Sequence, residues 1–301
     1  MRWFFAIVLL ASSLFAAEPV KDVIYVAPFY PHHPKFDKGY LFENPRWEDL
    51  IVYGRDGARA FATTLTAPYG YAYILDAAVD QNGGFAVSML YQNEQEFIRG
   101  AIAYLDPTGK QIRTIETVHF LAAQLCYAPT GELWALGEER NNESTISTRG
   151  SYIFRKYDSA GKEIGQYSHR TRFTSWPWPS SVEGFGSVRL QIAHDRVGAL
   201  GDSFHPEAEW IEIDFQGKLL GQWKLGGEQH GLAFTDNGEL YKTSAGTVFK
   251  FDRTTSTWTL VKDCEPPSER FGYIRYVMAA DGNAVVVTTR DSGRLLWLAV
   301  P

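Results

Sequence analysis

Five polar side chains stand at or beside one equivalent place in this chain. Asp76, Gln124, Arg189, His230 (just ahead of Gly231) and Arg275 each head an aliphatic run that recurs along the sequence. The set combines two guanidinium groups, a carboxylate, an amide and an imidazole. Arginine presents a planar fork of donors that matches carboxylate or phosphate. If the strand heads converge, they make a polar ring suited to a small ligand, an anionic one included. A mutual pairing of Arg189 with Asp76 would give the ring a structural role instead.

A second group of candidates lies in long loops. Trp176-Pro177-Trp178 places two rings between prolines that limit their motion, a platform for a sugar or a partner protein. Folded inward, the same rings would be a plug. His119, Glu228 and Arg270 sit in neighbouring loops and complete the loop-face candidates. Catalytic signatures are missing from the sequence. His32-His33 lacks spaced third and fourth ligands, so no metal is expected. There is no Gly-x-Ser-x-Gly, no P-loop and no zinc-ligand spacing. No cofactor is predicted and no catalytic residue can be assigned.

The elements that would position these residues repeat. One unit ends in an aromatic-Asp-x-x-Gly pattern, as in Ile102–Ile112, Tyr152–Ile164 and Trp210–Leu220, with Val248–Trp258 a variant. The other is an aliphatic run, a Gly turn and a second aliphatic run, as in Ala77–Leu90, Cys126–Gly137, Leu232–Ser244 and Val277–Thr289. Third strands are expected at Ile51–Tyr53, Ile102–Tyr104, Phe154–Tyr157, Ile211–Ile213, Phe249–Phe251 and Leu295–Leu298. Six units of about 47 residues, four strands each, predict an all-β, six-bladed β-propeller. The last unit runs out before its outer strand. The orphan segment Asp22–Ala27 is expected to supply it and close the ring, which removes exposed sheet edges. The Pro- and aromatic-rich stretch Pro28–Leu50 shows no readable inner strand.

The repeats resemble NHL-type and related six-bladed propellers. Asp76–Ser88 with Ile102–Ile112, and His230–Ser244 with Val248–Asp252, carry the likeness. It implies the architecture. Proteins of this kind include protein-binding modules, sugar lactonases and lyases, so it implies no single activity. In this architecture the short hairpin turns between first and second strands share one face. The long loops Tyr91–Gly100, Glu138–Gly150 and Thr171–Gly186 share the other, which is the expected functional face.

Composition sets the remaining bounds. Aromatics make up 15% of the residues, as suits the half-buried surfaces between blades. The net charge of −6 argues against nucleic acid as a partner. Met1–Ala17 reads as a signal peptide: Arg2, an apolar run from Trp3 to Leu10, then Ala16-Ala17. That run is too short to span a bilayer. Cys126 and Cys264 lie in different repeats and are expected to stay unpaired. Residues 18–301 are therefore expected to form one propeller domain, secreted or periplasmic, monomeric, binding a protein or a small ligand. A lactonase-like hydrolase or lyase centred on the channel, and a scaffold subunit of an envelope complex, are the alternatives.

Overall fold

The computed structural model describes residues 21–24, 34–95, 97–140, 152–169, 190–201, 208–226, 231–244, 247–261, 274–289 and 294–301, with backbone alone for 274–278. These residues form six antiparallel sheets of four strands each. In five sheets the four strands follow one another in sequence; in the sixth, the outermost strand comes from the beginning of the chain. The first, innermost strands are Lys35–Asp37, Tyr73–Val79, Phe120–Tyr127, Leu190–Ile192, Leu232–Phe234 and Ile274–Asp281. Blades 1 to 6 are numbered from these.

The third strands run Asp49–Tyr53, Ile98–Leu105, Tyr152–Tyr157, Glu209–Asp214, Thr247–Asp252 and Arg294–Ala299. Each contains the segment expected from the repeats. Their ends explain the Asp-x-x-Gly signal. Asp106 Oδ1 accepts from the backbone N–H of Thr108 and Lys110, and Asp214 Oδ1 accepts from Gln216 and Lys218. The aspartate thereby ties the turn to itself. Gly109 and Gly217 close these turns at φ +85° and +83°, where a Cβ would be strained.

Six apolar clusters hold the blades, one at each junction. Phe42 and Val52 of blade 1 pack with Val79 and Phe85 of blade 2. Phe36 and Tyr53 on the other side of blade 1 pack with Leu295 and Trp297 of blade 6. The middle strands of a blade are covered on both faces, so they read as near-continuous apolar runs such as Phe85–Leu90, broken only by the buried Ser88. The outer strand Leu219–Lys224 alternates between half-buried and exposed, as an outermost strand should.

The ring closes through the strand Lys21–Ile24. It pairs antiparallel with Arg294–Ala299, with Lys21 opposite Trp297 and Ile24 opposite Arg294. The expected closing partner is therefore present, starting one residue earlier than Asp22; Tyr25–Ala27 of the expected segment lie outside the described residues. The inner strand of blade 1, unreadable in the sequence, is the three-residue Lys35–Asp37.

Candidate functional site

Inner strands of a propeller face their neighbours edge-on, so some backbone N–H groups have no partner within their own sheet. Buried donors of this kind need acceptors. Side chains supply them across successive blades. Asp37 Oδ2 accepts from Val79 N at 2.9 Å. Asp76 Oδ2 accepts from Leu125 N at 2.6 Å, and Gln124 Oε1 from Leu190 N at 2.7 Å. Gln191 Oε1 accepts from Phe234 N at 2.7 Å while its Nε2 donates to Leu232 O at 2.8 Å. One polar side chain per junction thus laces blades 1 to 5 around the axis.

Asp76 also has a cation. Lys35 Nζ, from blade 1, donates to Asp76 Oδ2 at 2.5 Å and to Leu125 O at 2.9 Å. Both side chains are almost fully buried. Burial pushes the Asp76 carboxyl up to about 6, against the opposing pull of Lys35 and of the Leu125 and Ala77 amides. A carboxyl raised in the folded state binds its proton more tightly there than in the unfolded chain. Its stabilising contribution is complete below about pH 4 and disappears as pH rises through about 6, a change of up to about 3 kcal/mol. The unfolding free energy of wild type should carry this downward slope between those pH values. Asp76→Asn should lose it, as denaturant titrations across pH would show; an identical slope in both proteins would refute the assignment.

Beside this pair lies an axial cavity of about 280 Å³. Five blades contribute to its wall, blade 2 being the exception. Three cations, Lys35, Lys38 and Arg55, and three carboxylates, Asp37, Asp236 and Asp281, line it. Several are partly engaged. Lys38 Nζ donates to Val79 O and Tyr127 O at 3.1 and 3.3 Å. Arg55 Nε donates to Lys38 O at 3.2 Å, and Asp281 Oδ2 accepts from Trp297 Nε1 at 2.7 Å. The Asp236 side chain is exposed, and its backbone rather than its carboxylate joins the neighbouring turns. Cys126 lines the same wall, but burial pushes its thiol up to about 12, so it is not a nucleophile near neutral pH.

A wider cleft of about 500 Å³ separates blades 2 and 3 on the same side of the ring. Its acidic wall is largely spent on turns. Asp80 Oδ1 accepts from Asn82 N and Gly84 N, Asp158 Oδ1 accepts from Lys162 N, and Glu132 pairs with Lys156 at 3.0 Å. The axial cavity, though smaller, gathers more unspent polar groups and is the better candidate. No group of three potential metal ligands gathers among the described residues.

The sequence-predicted residues fall as follows. Asp76 and Gln124 sit on adjacent inner strands and perform the lacing just described; neither lines the axial cavity. Arg275 lies on the inner strand of blade 6, six residues before Asp281 at the cavity end. His119 lies exposed between blades 2 and 3, where its carbonyl accepts from Arg140 N at 2.8 Å. Arg189, His230, Trp176, Trp178, Glu228 and Arg270 lie outside the described residues. The cavity is lined instead by hairpin-turn residues, among them Lys38, Pro129, Asp236 and Gly282. It therefore lies toward the short-turn side of the ring rather than the long-loop side. Cys126 is a free thiol, and Cys264 lies outside the described residues.

Compared with known proteins, the sequence matches no family model and no curated protein. Solved structures do match. A protein of unknown function from Bacteroides caccae superposes with a TM-score of 0.51 at 11% identity, over 87% of this chain and 93% of its own. A gluconolactonase from Xanthomonas campestris gives 0.47 at 12% identity, over 90% and 85%. The soluble aldose sugar dehydrogenase of Escherichia coli gives 0.46 at 13%, over 93% and 98%. The likeness is one of fold alone. It agrees with the six-bladed propeller described above, and the chemistry of the chain must be argued from its own residues.

Proposed function

We propose that the protein is an exported binding module whose axial cavity holds a small polar ligand. The observation that carries this reading is the convergence of three cations and three carboxylates on one cavity of about 280 Å³ at the ring axis. Ligand sites are concave and combine apolar walls with a few convergent polar groups. Here Phe36, Leu125, Leu190 and Phe234 supply the apolar part. The scaffold is rigid because every junction has its own apolar cluster, so little ordering would oppose binding. Export rests on the signal-like Met1–Ala17 and implies a mature N-terminus near Glu18, which mass spectrometry of protein recovered outside the cytoplasm would find.

The test is a thermal-shift panel of amino acids, sugar acids and neutral sugars. A ligand at 100 times its Kd stabilises by about 2.7 kcal/mol, which raises the Tm of a chain this size by roughly 5 °C. At least one compound should do so with wild type and fail with the double variant Lys38→Met, Asp236→Asn. If the panel shifts neither protein, or shifts both alike, the axial cavity is not the site.

A further inference from the structure

The charges around the axial cavity are not mixed evenly. All three cations come from blade 1: Lys35 from its inner strand, Lys38 from the turn that follows, and Arg55 from the turn after its third strand. Two carboxylates, Asp236 and Asp281, come from blades 5 and 6. The third, Asp37, belongs to blade 1 and spends Oδ2 on Val79 N. Lys35 is matched by Asp76 behind the wall. The unspent positive charge is thus that of Lys38 and Arg55 on one side. The carboxylates outside blade 1 are those of Asp236 and of Asp281, whose Oδ2 also accepts from Trp297 Nε1. Blades 5, 6 and 1 follow one another around the ring, so the two signs are segregated onto different blades of the cavity wall.

Resting on the reading of the cavity as a ligand site, we infer that its ligand is a small zwitterion. Its carboxylate faces Lys38 and Arg55, and its ammonium faces Asp236 and Asp281. A monoanion would satisfy the blade 1 cations but leave two carboxylates beside it. A monocation would leave the lysine and arginine unmatched. A neutral polyol would hydrogen-bond to both kinds of group but bring no counter-charge to either, so the partly desolvated charges would stay unpaired. The free Asp236 carboxylate is the informative group. Among the described residues it is neither a turn cap nor one half of an ion pair, whereas Asp80, Asp106, Asp158 and Asp214 all tie their own turns.

The experiment compares matched compounds by calorimetry: glycine, β-alanine, 4-aminobutyrate and 6-aminohexanoate, each with its N-acetyl form and its carboxamide. The inference expects at least one zwitterion to bind about tenfold or more tightly than both of its singly charged forms. Asp236→Asn should bring that zwitterion down to the affinity of its N-acetyl form, and Arg55→Gln down to that of its carboxamide. Ligand-free melting of both variants shows whether the fold is intact. An N-acetyl form that binds as well as the zwitterion overturns the inference but keeps the cavity as an anion site. Preferential binding of a neutral sugar from the thermal-shift panel, lost in the same variants, also overturns the inference and keeps the cavity as a site for neutral ligands. If no compound of any class binds, both the zwitterion and the cavity reading fall.

Discussion

Truncation of the chain through Ile24 should cost the protein its solubility as well as its stability. Lys21–Ile24 covers the outer edge of Arg294–Ala299, whose sequence is rich in Leu and Trp. An open edge of this length and hydrophobicity is a template for pairing with another chain. The local loss is also large. Val23 is buried in the cluster that joins blades 6 and 1, and burial of a valine contributes about 1.5–3 kcal/mol. Lys21 Nζ lies 4.4 Å from the centre of the Trp297 ring, a cation–π contact of about 0.5–1 kcal/mol where exposed. With the ladder hydrogen bonds, each about 1 kcal/mol net, the sum is about 4 kcal/mol or more. The Tm should fall by roughly 7 °C or more, and size-exclusion chromatography should show oligomers. A truncated protein that elutes as a monomer with unchanged Tm would sink the idea that this strand secures the ring.

The closing strand was legible in the sequence because a missing fourth strand leaves a countable gap. The third strands were legible because Asp106 and Asp214 must sit where their carboxylates reach two amides, and Gly109 and Gly217 where φ is positive. Those demands fix residue types at fixed spacing. The inner strand of blade 1 has no such mark. It is three residues long, and Lys35 is buried there because Asp76, forty-one residues later, neutralises it. No local pattern announces a partner at that distance. Asp76 and Gln124 were legible as equivalent strand-head positions, but as ligand groups and not as the links between blades that they form. Each accepts the amide of the leucine at the equivalent place on the next blade, Leu125 and Leu190. The axial cavity was not legible, since Lys38, Arg55, Asp236 and Asp281 are ordinary turn residues until the ring brings them together.

The same long-range logic makes Glu212→Ala the most damaging single substitution expected in a polar residue. Glu212 is completely buried on the third strand of blade 4. Its Oε1 accepts from Trp210 Nε1 at 2.8 Å and from Arg253 Nε and Nη2 at 2.9 and 2.5 Å; its Oε2 accepts from Arg196 Nη1 at 3.2 Å. Arg253 belongs to blade 5, so one carboxylate ties two blades and a tryptophan together. Removing one member of a buried pair costs about 3–5 kcal/mol when the stranded charge stays buried. Arg196 and Arg253 are 29% and 22% exposed and can regain some water, which lowers that figure. Trp210 is fully buried and cannot, and an orphaned indole N–H costs about 1–3 kcal/mol. A net loss of about 2–4 kcal/mol should follow, seen as a lower midpoint in urea with an unchanged slope. Glu212→Gln keeps an acceptor for Trp210 and should cost clearly less. If the two variants are equally destabilised, the charge rather than the orphaned indole dominates; if neither is destabilised by as much as 1 kcal/mol, the blade 4–blade 5 junction is held by its apolar cluster, Phe251 and Trp210 included, and by the Gln191 bridge, without help from Glu212.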